Sequence, residues 1–342
     1  YLGNFIDGLK RKDQKIFFSG ISFDSKKVAK NNIFFAIKGD KFDGNDYINE
    51  AIKNGSNIII SEKRIKIKNK KVFFLRTNNI RKLLAEIVFK DLKKKPKKLI
   101  AVTGTNGKSS VSDFYYQILN LNNKKVASIG TIGIKYENKY KEIANTTLDP
   151  VNLKKILDNL NSKKVDHIIL EASSHGLKQN RLDGLFFDIG IFTNLSRDHL
   201  DYHKNFTDYL NSKLYLFKNL LKKNASIITD TTLPQFNMIK KIAIKKKLNL
   251  IGIFDKNSDL EIISHRYEDD LQIIEIKYNS KVYRIKLNLI GKIQIKNLLM
   301  ALLASIKSNI DVHRVFSAIN KIKPVKGRFE KIGLIKNNSK VI

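Results

Sequence analysis

The 342-residue sequence contains no cysteine. Disulfides, cysteine-bearing zinc sites and thiol catalysis are therefore excluded. No apolar run approaches the roughly 18–20 residues that a membrane-spanning helix needs. No charged-then-apolar leader with a small-residue cleavage site opens the chain. These absences lead to the expectation of a cytoplasmic protein without a membrane partner. The chain opens at Tyr1 rather than Met, so a preceding segment is expected. Acidic residues are scarce: 32 Asp and Glu face 65 Lys and Arg, for a formal net charge of +33. One reading of that surplus is a nucleic-acid or membrane-surface binder. The other is a compositional bias that spreads lysine everywhere. Lys26 and Lys27, Lys93 to Lys95, Lys163 and Lys164, Lys222 and Lys223, and Lys245 to Lys247 lie in different segments. A nucleic-acid protein concentrates such residues on one element with interleaved aromatics. Bias is the favoured reading, so no nucleic-acid partner is expected, although the charge suits the attraction of anionic nucleotides.

What is present reads as a globular α/β chain of about two domains. Positions 1–95 form a small α/β unit, with strands at 33–37 (IFFAI), 57–61 (NIIIS) and 72–75. Helices fall at 46–54, with Gly55 as C-cap, and at 80–92. The run KKKPKK at 93–98 reads as a linker. From position 99 the pattern becomes strand–loop–helix, which implies a mostly parallel sheet covered on both faces. Strands are expected at 99–102, 126–129, 167–170, 188–192 and 226–229, and a helix at 108–121. A hairpin-like signal follows near 259–289, with runs at 271–276 and 282–289, then helices at 293–307 and 311–321. Pro324 opens a second linker. The resulting division is 1–95, 98–323 and 324–342.

The segment Ala101-Val-Thr-Gly-Thr-Asn-Gly-Lys-Ser-Ser110 joins a strand to a helix. Gly104 and Gly107 let backbone amides approach phosphate oxygens, and the helix N-terminus adds its positive end. Lys108 can reach the terminal phosphates and Ser109 can place a hydroxyl on Mg²⁺. Val102 stands where the strict Walker pattern has its first glycine. The competing reading is a tight structural turn capped by Thr105 or Asn106; the strand-to-helix context favours nucleotide binding. Glu171 ends an apolar strand, where it is either a metal-holding carboxylate or an exposed edge residue. His199 and His203 are four apart without the glutamate of a zinc protease between them. His199 fits a single ligand to Mg²⁺, or a hydrogen-bonded structural histidine. Lys213, in an amphipathic helix at 206–221, reads from spacing alone as a solvated lysine.

Taken together, these motifs resemble the Mur ligases, and the MurE type within them. The resemblance rests on Asp24-Ser-Lys26, Asn32 to Gly39, Asp43-Gly-Asn-Asp46, TGTNGKSS, Asn145-Thr-Thr147, Glu171 to Arg181, FTNLSRDHLDYH and Gly327-Arg-Phe-Glu330. It implies a small N-terminal α/β UDP-binding domain and a central P-loop ATPase domain. A third, Rossmann-like domain is expected to be absent here beyond a hinge at 324–342, and with it activity of this chain alone. ATP would be held by Gly104, Thr105, Asn106, Gly107, Lys108, Ser109, Ser110 and Asn297. Two Mg²⁺ ions would be held by Ser109, Glu171, His199 and a carbamylated Lys213. Ser25, Asn145, Thr146, Thr147, Ser173, Gln179 and Arg181 would bind UDP-MurNAc-L-Ala-D-Glu. Lys108, Lys213 and His199 would carry catalysis. Gln294 stands where the family has an asparagine, so no adenine contact is expected there. The implied reaction is ATP-dependent addition of a diamino acid, with diaminopimelate ahead of lysine, by a monomeric cytoplasmic enzyme.

Overall fold

The computed structural model describes residues 1–256, 258–269, 271–328, 333–334 and 340–341. Most of the 324–342 segment, including Phe329 and Glu330 of the expected hinge motif, lies outside the described residues. The chain divides into two compact units. The first comprises Tyr1–Lys93 together with Asp149–Asp158 and Gln179–Leu185, and the second the remainder.

The first unit is built on four parallel strands in the order β1 (Gly20–Ser22), β2 (Asn32–Phe35), β3 (Ile58–Ser61) and β4 (Phe73–Arg76). β2 and β3 are buried along their whole length, as unbroken Ile and Phe runs require. Helix α1 spans Ile48–Lys53, shorter than its periodicity suggests. The Asp43 carboxylate accepts from Asn45 N and starts a tighter 3₁₀ turn at Gly44–Tyr47 instead. Helix α2 (Ile80–Lys90) is capped by Asn79, which accepts from Lys82 N, while Glu62 takes the Ile80 N–H. Val28, Phe34, Ala36, Ile48, Ala51 and Ile59 form a core cluster here.

The second unit starts with β5 (Lys98–Thr103), so Lys98 belongs to a strand rather than to the linker. There follow α3 (Lys108–Leu121), β6 (Val126–Gly130), β7 (Gly133–Tyr136), β8 (Lys139–Lys141), α4 (Pro150–Ser162), of which the part up to Asp158 belongs to the first unit, β9 (His167–Glu171) and α5 (Ser174–Lys178). Next come β10 (Phe187–Phe192), α6 (Phe206–Asn219), β11 (Leu221–Asp230), α7 (Phe236–Lys246) and β12 (Asn249–Phe254). The strands β13 (Leu260–Glu268), β14 (Leu271–Tyr278) and β15 (Lys281–Leu287) precede α8 (Lys292–Lys307) and α9 (Val312–Ile319). Eleven strands among the described residues make one sheet, ordered β15-β14-β13-β12-β11-β10-β5-β9-β6-β7-β8. Its centre is parallel and both edges end in antiparallel strands. The α/β, mostly parallel expectation therefore holds. β13 pairs with β12 as well as β14, so the hairpin signal marks an extension of the main sheet. Phe114, Tyr115 and Ile118 of α3 share a core with Leu298, Leu299 and Leu302 of α8. This fixes the helix that leaves the glycine loop. β5 lies between β9 and β10, where the strand order reverses, and the carboxyl ends of such strands are where α/β sheets bind ligands. No helix among the described residues is long and apolar enough to cross a membrane.

Candidate functional site

The glycine loop leaves β5 and enters α3 through backbone that only glycine adopts easily. Gly104 has φ +147° and Gly107 φ +86°. A Cβ on Gly104 would run into the Thr193 hydroxyl, and one on Gly107 into the Asn297 carboxamide. Gly107 is the N-cap and no side chain caps the helix, so the reading of a turn capped by Thr105 or Asn106 fails. Those two residues instead join the loop to the segment after β10. Thr105 N donates to Asn194 O (3.0 Å), and Asn106 N donates to Asn194 Oδ1 (3.0 Å). Ser196 N donates to the Thr105 hydroxyl at 3.0 Å. The amides at the start of α3 stay available to an anion.

Two lysines converge on one carbonyl. Lys108 Nζ donates to Gly104 O (2.9 Å) and Thr105 O (2.7 Å). Lys213 Nζ donates to the same Gly104 O at 2.8 Å and sits 4.3 Å from the centre of the Tyr209 ring. Lys213 is 1% exposed, which corrects the reading of a solvated lysine. The 3.6-residue periodicity of α6 carries it inward, beneath the glycine loop. Burial, reinforced by the Lys108 charge, pushes its ammonium pKa down to about 6. Burial also lowers Lys108, against the pull of Glu171 and Asp198.

Glu171 ends β9 at 2% exposure, so it is not an edge carboxylate. Thr131 N donates to its Oε1 (3.0 Å) and the Thr131 hydroxyl to its Oε2 (2.9 Å). Burial raises its pKa even though Lys108, Thr131 and Ser109 all favour the ionised form. A Cβ on Gly130 would strike this carboxylate, so the cradle is closed on that side. A buried carboxylate beside the Ser109 hydroxyl is a hard oxygen donor set short of positive charge, and it fits a divalent cation such as Mg²⁺. The second expected ion finds less. His199 has φ +52° and a side chain 47% exposed, with Nε2 3.5 Å from Asp198 Oδ2. Its ring stands edge-on to His175 at 4.9 Å. No cluster of three or more metal-ligating side chains occurs among the described residues. Lys213 in amine form is no oxygen donor, so the His199 and Lys213 pair fits a cation only once Lys213 carries a carbamate.

The expected substrate residues fall into two groups. In the second unit, Thr147 donates to Glu171 O (2.9 Å) and Ser173 N donates to the Thr147 hydroxyl (2.9 Å). Thr146 touches Thr131 at 3.0 Å, and Asn145 lies on an exposed bend. In the first unit, Ser25, Gln179 and Arg181 line a cavity of about 800 Å³, with Phe34, Tyr47 and Arg81. The Ser25 hydroxyl donates to Glu50 Oε2 at 2.8 Å. Arg181 Nε and Nη2 both donate to Gln179 Oε1, at 3.0 and 2.7 Å. In the second unit again, Ser110 and Asn297 are buried, the latter against Gly107.

Sequence reasoning missed Tyr209 and Thr131 and noted Gln294 without assigning it a contact. Tyr209 is fully buried, with its hydroxyl 3.0 Å from that of Thr105. Gln294 donates to Arg328 O at 3.0 Å, so the residue that departs from the family anchors the chain after α9. None shows a composition or spacing signal, because each acts through a contact distant in sequence.

Comparison with known proteins now bears on the site. Residues 102–305 match the model of the Mur ligase middle domain, and residues 18–91 that of the Mur ligase family catalytic domain. The chain belongs to the Mur ligase family. A UDP-N-acetylmuramoyl-L-alanyl-D-glutamate--2,6-diaminopimelate ligase of Rickettsia typhi is 37% identical over 325 residues, covering 94% of this chain and 65% of that protein. A ligase of the same name from Zymomonas mobilis is 33% identical, covering 98% of this chain and 68% of that protein. A solved structure of a ligase of this name superposes with a TM-score of 0.81 at 27% identity, covering 92% of this chain and 65% of that one. This Mur ligase chain thus spans about two-thirds of the length of those relatives.

Proposed function

We propose that this Mur ligase chain takes part in ATP-dependent amide ligation in the cytoplasm, adding diaminopimelate to UDP-MurNAc-L-Ala-D-Glu. The observation that carries the reading is the convergence of Lys108 and Lys213 on the Gly104 carbonyl, in the loop that leads into Ser109 and hence to the buried Glu171. The names of the relatives support the choice of substrate.

In this reading the D-Glu γ-carboxylate attacks the γ-phosphate of ATP, giving an acyl phosphate and ADP. The amine of the diamino acid then displaces phosphate. A bare carboxylate is a poor acyl donor, and phosphorylation supplies the leaving group. The glycine-loop amides hold the phosphates, and Lys108 swings from its loop carbonyls onto them. Bound Mg²⁺ would supply charge neutralisation and alignment at the transferred phosphoryl group, held by Ser109 and Glu171. A Lys213 pKa of about 6 leaves its amine neutral at pH 7, with a lone pair able to attack CO₂. The nitrogen then loses a proton, and the resulting carbamate makes Lys213 an oxygen donor; Lys213 and the His199 ring both border Tyr209. In the first unit, Ser25 would face the uridine. The Arg181 guanidinium, oriented by Gln179, would grip a substrate carboxylate.

Calorimetric titration with UDP-MurNAc-L-Ala-D-Glu and with UDP-MurNAc-L-Ala tests the reading. A clear preference for the first is expected. Equal binding, or none, would contradict the substrate assignment.

A further inference from the structure

Thr131 follows β6 and grips both oxygens of Glu171, through its N–H at 3.0 Å and its hydroxyl at 2.9 Å. A threonine hydroxyl has one proton to give. With that proton on Glu171, the 3.0 Å contact between the Thr131 and Thr146 hydroxyls has only one polarity: Thr146 donates and Thr131 accepts. The result is a directed chain of hydroxyls from Thr146 through Thr131 to a carboxylate that is 2% exposed. The next residue, Thr147, hydrogen-bonds the Glu171 main-chain oxygen at 2.9 Å, so the 145–147 loop reaches Glu171 by two routes, directly through Thr147 and indirectly from Thr146 through Thr131.

We infer that Thr131 is a positioning residue that couples the 145–147 loop to the cation-holding carboxylate. The inference rests on the proposed function, in which that loop meets the UDP-linked substrate and Glu171 meets the cation. Hydrogen bonds to both oxygens fix the carboxylate plane and aim its remaining lone pairs at Ser109. A substrate oxygen that takes the Thr146 proton withdraws the donor behind Thr131 and changes how strongly Thr131 holds Glu171. Occupancy of the loop and cation affinity are then linked, each altering the other.

The test is calorimetric titration of the chain with ADP, once with Mg²⁺ and once with EDTA, each with and without saturating UDP-MurNAc-L-Ala-D-Glu. Thr131→Val preserves shape and the backbone N–H but removes the hydroxyl. It is expected to weaken Mg·ADP roughly tenfold while leaving metal-free ADP almost unchanged. It should also erase the shift in Mg·ADP affinity that the UDP ligand causes in the unchanged chain. Thr131→Ser, which keeps the hydroxyl, should restore both. An equal loss with and without Mg²⁺ would show a merely structural residue and overturn the inference. So would an unchanged Mg·ADP affinity. Failure of the unchanged chain to bind Mg·ADP at all would overturn the parent reading, and this inference with it.

Discussion

The two units treat charge in opposite ways. In the first, the charged side chains around the cavity keep contact with water, although Asp183 elsewhere in that unit is buried. Asp43 is held below the usual carboxylate range by hydrogen bonds from Lys63 and Asn45, yet Lys63 is 57% exposed. Such surface pairs contribute little to stability. The cavity beside them is wide and keeps Lys26, Asp40 and Lys41 at its edge. In the second unit, Lys108, Glu171 and Lys213 are drawn into the protein, and burial moves each toward its neutral form. Burying ionisable groups is costly unless something arrives to compensate them. The difference suggests a division of labour: the first unit recognises a large ligand, and the second stores unbalanced charge for a phosphate and a cation.

The largest expected effect strikes the second unit alone. In an enzyme that includes the third domain, Lys108→Ala should slow phosphoryl transfer, read as ADP release, by on the order of 10²–10⁴. Next comes the first unit. Arg181→Ala should weaken UDP-MurNAc-L-Ala-D-Glu by roughly 10–100-fold in calorimetry, since a hydrogen-bonded charge is lost. Arg181→Lys should recover only part, because an ammonium lacks the planar fork.

The Lys213 pKa gives a pH test. A lysine whose folded pKa lies below its unfolded value binds fewer protons when folded, so its share of stability rises with pH between about 6 and the ordinary lysine value. Lys213→Met should therefore raise the melting temperature at pH 7, with the gain shrinking as pH approaches 10. At fixed CO₂ pressure, a ¹³C carbamate signal should grow as pH rises through about 6 and be absent from Lys213→Arg. A melting gain that does not vary with pH would break the contrast between the units. The smallest effect is expected of Tyr209→Phe. It removes one hydrogen bond to Thr105 and should weaken Mg·ADP by about fivefold.

How much of this was legible depends on the range of the interaction. The glycine loop, β5 and α3 were readable because the motif and its helix are contiguous. The parallel sheet followed from apolar runs such as those of β5, β9 and β10. The burial of Lys213 was not readable. It depends on Gly104, 109 residues away in sequence, and nothing in the α6 pattern distinguishes a lysine under a loop from one in water. Glu171 stays between two roles in the sequence for the same reason, since its burial is set by Gly130 at the end of β6 and by Thr131 just after it. The short α1 shows the reverse case: the apolar spacing was right, but the Asp43 cap diverted the first turn.

The most direct measurement is a crossed titration of Lys108→Ala and Arg181→Ala, each with Mg·ADP and with UDP-MurNAc-L-Ala-D-Glu. The division of labour predicts that Lys108→Ala loses only the nucleotide and Arg181→Ala only the UDP ligand. Loss of both ligands by either folded variant would contradict it.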